Sequence, residues 1–111
     1  YAIYAKAAEA TGVPVDLEDD YTLDVEKFVD AVIESKASLA VVCNPNNPTG
    51  TVMSVADIEY IAQNIPCAFV VDEAYIEFHG QSAMSILNKY PNLIVARTFS
   101  KAYGLASARV G

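Results

Sequence analysis

The chain has 111 residues, 53% of them apolar and 19% charged, with 14 acidic against 7 basic side chains and a formal net charge of −7. So apolar a composition excludes a disordered tail, a collagen-like repeat and a coiled coil. A surface that negative is repelled by phosphate backbones and anionic lipid, so neither nucleic acid nor a membrane is an expected partner.

Ile3 to Ala10 is alanine-rich and stops before Gly12, which predicts a short helix. Val13 to Leu17 is a brief β-branched run. Asp24 then precedes Val25, Phe28, Val29, Val32 and Ile33, the i, i+3, i+4, i+7, i+8 spacing of one apolar helix face. Leu39 to Cys43 is continuously apolar and ends at Asn-Pro, as a strand buried on both faces would. Ser54 with Asp57 three residues on reads as a capping box, and Val55, Ile58, Ala62 and Ile65 carry the helical stripe behind it. Cys67 to Val71 predicts a second strand, Ser82 to Asn88 a short helix, and Leu93 to Ala96 a third strand. Strands alternating with helices predict an α/β fold with a mainly parallel sheet.

Cys43 and Cys67 lie apart in apolar runs, and no spacing of Cys or His suits a metal. Two buried, reduced thiols and a cytoplasmic address are the expectation. No stretch approaches the roughly 20 apolar residues of a membrane span, and nothing resembles a signal peptide.

In parallel sheets, function gathers at the carboxyl ends of the strands. The first strand is followed by Asn44-Pro45-Asn46-Asn47-Pro48-Thr49-Gly50, the second by Asp72-Glu73-Ala74-Tyr75, the third by Arg97-Thr98-Phe99-Ser100-Lys101 with Arg109 eight residues later. Singly, each has a bland alternative. The first suits a turn, the second a solvated strand end, and the third a polar loop.

Together, NPNNPTG (44–50), VVDEAYIEF (70–78) and RTFSKAYGLASARVG (97–111) resemble the pyridoxal-phosphate-dependent aminotransferases of fold type I. Within these the resemblance is greatest to the histidinol-phosphate aminotransferase group. It implies a three-layer α/β large domain, of which residues 1–111 would form a central part. An N-terminal segment, a C-terminal small domain and dimer-building segments would lie elsewhere. It implies pyridoxal 5'-phosphate as cofactor, a small-molecule amino donor, a 2-oxo acid acceptor and a homodimer. Lys101 matches the Schiff-base lysine, which also moves the substrate's proton. Asp72 matches the carboxylate that keeps the pyridine nitrogen protonated. Tyr75 and Asn47 match the groups that hydrogen-bond the ring's phenolic oxygen. Thr98, Ser100 and Arg109 match positions that bind the cofactor phosphate, and Tyr1 an aromatic against the ring. Asn46 is read as structural, Arg97 as a surface or supporting charge, and Glu73 and His79 stay without a role.

The implied reaction moves an amino group between histidinol phosphate and 2-oxoglutarate, giving imidazole acetol phosphate and glutamate. Aromatic aminotransferase and threonine-phosphate decarboxylase activities are the alternatives on the same fold. A non-catalytic regulatory module is the alternative of another class. The 111 residues alone are expected to be inactive, lacking part of the phosphate cradle and the arginine for the substrate carboxylate.

Overall fold

The computed structural model describes all residues, 1–111. Helix α1 (Ala2–Ala7) is followed by an extended stretch, α2 (Val25–Ser35), β1 (Leu39–Cys43), α3 (Val55–Asn64), β2 (Ala68–Asp72) and β3 (Leu93–Ala96). Three stretches of 3-10 helix, Ile76–Phe78, Ala83–Lys89 and Ala106–Ala108, punctuate the second half. The strands form one parallel sheet in the order β1-β2-β3.

Each long helix starts where its cap dictates. The Asp24 side chain accepts a hydrogen bond from the Lys27 amide at 3.0 Å. Ser54 and Asp57 form the reciprocal capping box, with Asp57 N donating to Ser54 Oγ and Ser54 N donating to the Asp57 carboxylate, each at 3.1 Å. The apolar stripes of α2 (Phe28, Val29, Val32) and α3 (Ile58, Ile61, Ala62) then pack on one face of the sheet. Ala40, Val42, Phe69, Val71 and Leu93 complete that core.

Register decides which side chains share a face. Ala40 pairs with Phe69 and Phe69 with Leu93, while Cys43 pairs with Asp72 and Asp72 with Ala96. Strand side chains alternate with period two, so the first row points into the helical layer and the second to the opposite face. That opposite face is open. Leu39 and Ile94 are 51% and 48% exposed, so the sheet is not buried on both sides within these residues, as the apolar run of β1 had predicted. Residues 1–111 supply the sheet and one helical layer.

Three boundaries differ from expectation. Helix α1 buries no residue and ends at Ala7, short of Ala10, with Glu9 at φ 54°. Six residues with nothing to pack against gain little from further helix. Strand β2 runs one residue later than predicted, because Asp72 pairs with both Cys43 and Ala96. The segment after Ser82 winds as 3-10 helix: Ser85 Oγ bonds back to the Ser82 carbonyl, and Ser82 Oγ takes the Met84 amide.

Phe69 is fully buried at the centre of the sheet's packed face. Phe69→Ala should cost about 3–5 kcal/mol, as large-to-small core changes do. A denaturation midpoint that moves by less than a third of that would show the core able to collapse around the gap.

Candidate active site

The carboxyl ends of all three strands lie side by side, and the loops leaving them carry the site. Asn44, fully buried at the end of β1, holds the first loop closed. Its Nδ2 donates to the Met53 carbonyl at 3.2 Å, and its Oδ1 accepts from the Met53 amide at 2.8 Å. Its own amide donates to the Asp72 carbonyl at 2.9 Å, which ties the loop to β2. Within the loop Asn46 Nδ2 donates to Thr49 Oγ1 at 2.7 Å, and Gly50 sits at φ +73°, where a side chain would be strained. The loop is thus the turn its composition suggested. It also presents Asn47 at the surface, with Nδ2 donating to the Tyr75 hydroxyl at 3.0 Å.

Tyr75 belongs to the loop after β2, so this bond joins the first two strand ends. Lys101, from the loop after β3, places its Nζ 5.4 Å from the centroid of the Tyr75 ring, a cation over an aromatic face. Asn47, Tyr75 and Lys101 therefore converge from three separate motifs. Asp72 ends β2 with its side chain half-buried on the open face. Oδ1 accepts the Ala74 amide at 3.0 Å, and Oδ2 accepts the Tyr1 hydroxyl. Burial, then the hydrogen bond and charge of Asp72, push the Tyr1 phenol well above the usual tyrosine range.

The third loop folds back on itself. Phe99 N donates to the Val110 carbonyl at 3.2 Å, Leu105 N to the Phe99 carbonyl at 3.0 Å, and the Phe99 and Tyr103 rings lie 5.1 Å apart. A Cβ built on Gly111 would sit 2.7 Å from the Arg97 carbonyl, so closure at this point requires glycine. This closure brings the backbone beside Arg109 next to Thr98 and Ser100, whose own amide–hydroxyl bond measures 3.0 Å. The Arg109 guanidinium donates instead to the Ala106 carbonyl at 3.2 Å, and no hydrogen bond joins it to Thr98 or Ser100.

The donor set suits an anionic, aromatic aldehyde cofactor. Although acids outnumber bases two to one, Lys101 and Arg109 enter none of the three ion pairs, Lys27–Glu18, Lys89–Glu59 and Arg97–Glu73. Two cations without acid partners beside two hydroxyls are free to take a phosphate. A cavity of about 470 Å³ lies between the loops after β1 and β2, lined by Asn47, Tyr75, Phe78 and His79 together with Pro45, Pro48, Gly50 and Val52; Asp72, Thr98, Ser100, Lys101 and Arg109 do not line it.

Two residues had no role from sequence. Glu73 is fully buried and paired with Arg97 at 3.0 Å; the signal was an acid and a base at the ends of neighbouring strands. Asn44 was hidden inside a motif that also supplies an exposed asparagine.

Cys43 lies half-buried beside Asp72, with its thiol directed at the Pro45 carbonyl, 3.3 Å away. Burial, helped by the Asp72 charge and opposed by the Asn47 amide and Tyr1, pushes its pKa above the ordinary thiol value. Alkylation at neutral pH should therefore be slower than for a free thiol and accelerate only above the usual pKa of about 8.5. Because the folded-state pKa is raised, this thiol's stabilising contribution is complete below about 8.5 and lost as pH rises through the folded value. Mass spectrometry of alkylated protein across pH checks this, and rapid labelling of Cys43 at pH 7 would contradict it.

The profile of the family described as Aminotransferase class I and II matches residues 1–111. The chain is 47% identical over 111 residues to the histidinol-phosphate aminotransferase of Thermoanaerobacter pseudethanolicus, covering 100% of this chain and 32% of that protein. It is 42% identical over 115 residues to the aromatic amino acid aminotransferase of Rhodococcus opacus, again covering 100% of this chain and 32% of that protein. Its fold superposes with a TM-score of 0.87 and 36% identity on the crystal structure of the histidinol-phosphate aminotransferase of Sinorhizobium meliloti in complex with pyridoxal-5'-phosphate, covering 98% of this chain and 31% of that one. The chain thus spans about a third of the length of the relatives it matches. With its parallel sheet and the motif set at its three strand ends, the chain belongs to the class I and II aminotransferase family.

Proposed function

We propose that these residues are the central part of the cofactor-binding large domain of a pyridoxal-phosphate-dependent aminotransferase. Its reaction exchanges an amino group between histidinol phosphate and 2-oxoglutarate, in histidine biosynthesis. The observation that carries this reading is the convergence of Lys101, Tyr75 and Asn47 from three loops. Support for the substrate comes from the 47% identity to a named histidinol-phosphate aminotransferase.

When bound, pyridoxal phosphate supplies the electron sink for the carbanion left as the amino acid loses its α-proton. Asp72, an acceptor at a strand end, holds the proton on the pyridine nitrogen. Tyr75 and Asn47 act as a pair. Since Asn47 already donates to the Tyr75 oxygen, the tyrosine's own proton and the second amide hydrogen stay free for the ring's phenolic oxygen. Lys101 anchors the cofactor covalently and afterwards takes and returns the proton at the substrate α-carbon. Thr98, Ser100 and Arg109 hold the phosphate, Arg109 by turning its guanidinium from the Ala106 carbonyl. Tyr1, whose hydroxyl donates to Asp72 Oδ2 here, would release that carboxylate and pack against the ring. A homodimer in the cytoplasm is the setting proposed, and no helix is long and apolar enough to cross a membrane.

The test is an amino-donor screen of the full-length protein with 2-oxoglutarate, following glutamate. Histidinol phosphate should be the best donor. Preference for phenylalanine or tyrosine would overturn the substrate assignment in favour of the second reading, which the 42% identity to the Rhodococcus aromatic enzyme supports. Release of carbon dioxide without amino transfer would overturn the reaction class.

A further inference from the structure

Glu73 is the only acidic or basic side chain in the chain that is buried, and it is fully so. A carboxylate away from water requires partners on both oxygens. Oε1 accepts the Ala83 amide at 2.7 Å, and Oε2 accepts Arg97 Nε at 3.0 Å and Arg97 Nη2 at 3.0 Å. The Ser82 hydroxyl lies 2.8 Å from Oε2 and itself accepts from Arg97 Nη2 at 2.7 Å.

The position of this network in the fold gives it a consequence. Glu73 directly follows Asp72 and stands two residues before Tyr75, while Arg97 directly follows β3 and stands four residues before Lys101. The Glu73 amide also donates to the Ala96 carbonyl at 2.8 Å, extending the β2–β3 ladder to this point. A two-point guanidinium–carboxylate pair therefore fixes the spacing between the loop that carries Asp72 and Tyr75 and the loop that carries Thr98, Ser100 and Lys101. A plain scaffold contact could have been apolar, and apolar replacements of buried pairs are often no less stable. What the ion pair adds is directional geometry.

We propose that Glu73 and Arg97, with Ser82 locking them, are positioning residues that set the Lys101 amine against the Tyr75 ring. They touch neither cofactor nor substrate. The inference rests on Lys101 being the lysine that anchors the cofactor, and it matters because a misplacement of 1 Å can cost on the order of 100-fold in rate.

The experiment uses the full-length protein loaded with pyridoxal phosphate, as wild type, Glu73→Gln, Arg97→Met, Arg97→Lys and the Glu73→Gln/Arg97→Met double variant. Three quantities are read. They are the fraction of bound cofactor that borohydride fixes on Lys101 by peptide mapping, the pH midpoint of the cofactor's visible absorbance, and the thermal midpoint of the cofactor-free protein. Glu73→Gln and Arg97→Met should each lower the Lys101-mapped fraction by about 5-fold or more and shift the pH midpoint, because the amine no longer sits in its reactive geometry. The double variant should be no worse than the poorer single one, as for two halves of one device. Arg97→Lys should restore part of the fraction, since an ammonium keeps the charge without the planar fork. If fixation and pH midpoint stay unchanged while only the thermal midpoint falls, the pair is mere scaffold and the proposal is overturned. Additive losses in the double variant would overturn it as well. Arg97 is 44% exposed, so its two variants decide the matter even where Glu73→Gln does not fold. Wild-type protein that fixes no cofactor on Lys101 would instead overturn the reading beneath, and that result is visible without any variant.

Discussion

Lys101→Ala in the full-length protein is expected to abolish borohydride fixation of the cofactor and to lower amino-transfer turnover by at least about 10³-fold. Positioned proton transfer alone contributes 10²- to 10⁴-fold, and the covalent anchor is lost in addition. The geometry makes the loss specific. Lys101 Nζ stands over the Tyr75 ring, and the one other lysine of the second half could not replace it: Lys89 is exposed and paired with Glu59 at 3.2 Å. Lys101→Arg separates charge from chemistry. It keeps a cation beside Tyr75, so reversible cofactor binding should persist, while covalent fixation and turnover should vanish together. A variant at Lys101 that still becomes covalently labelled at one other lysine, with normal turnover, would show that the motif has been assigned to the wrong residue.

Asp72→Asn should lower turnover about 10- to 100-fold or more, the value of one charge-assisted hydrogen bond of roughly 1.5–3 kcal/mol. An amide cannot hold a proton on the pyridine nitrogen as a carboxylate does. The substitution is isosteric, and the amide oxygen can still accept the Ala74 amide, so the loop after β2 should keep its shape. The Oδ2 position becomes an NH2 that cannot accept the Tyr1 hydroxyl, so the cofactor-free variant should lose about 0.5–1.5 kcal/mol, the value of one hydrogen bond. Glu73 cannot take over, because its carboxylate is buried and turned toward Ser82, Ala83 and Arg97. Near-normal turnover in Asp72→Asn would assign Asp72 to the loop's architecture alone.

The two residues differ in how far sequence reaches them. Asp72 was visible as an acid closing an apolar run, which is costly without a partner, and Lys101 as part of a Ser-x-Lys loop after the next run. Each gained its proposed role only through the resemblance of three motifs taken in order. The structure adds the contact of Lys101 with Tyr75 and of Tyr75 with Asn47, which span 26 and 28 positions in sequence. It also limits one expectation. The Arg109 guanidinium lies on its own loop's carbonyl and shares no hydrogen bond with Thr98 or Ser100, although the backbone closure brings the three stretches together.

By itself the sequence determined the elements that rest on local rules. The capping box at Ser54, the Asp24 cap, the apolar stripe of α2 and the ends of β1 and β3 all follow from spacing, because caps and helical periodicity act within four residues. Tertiary structure decided what local rules cannot reach. Whether β1 is covered on one face or two depends on which layers are present, so a continuous apolar run could not tell. Ending β2 at Asp72 rather than Val71 was set by pairing with Cys43 and Ala96 from two other strands. The burial of Glu73 depended on the partner that arrives with Arg97, 24 residues later. A charge at a strand end reads as solvated until the neighbouring strand is known to bring its counter-charge, and that pairing exists only once the parallel sheet has formed.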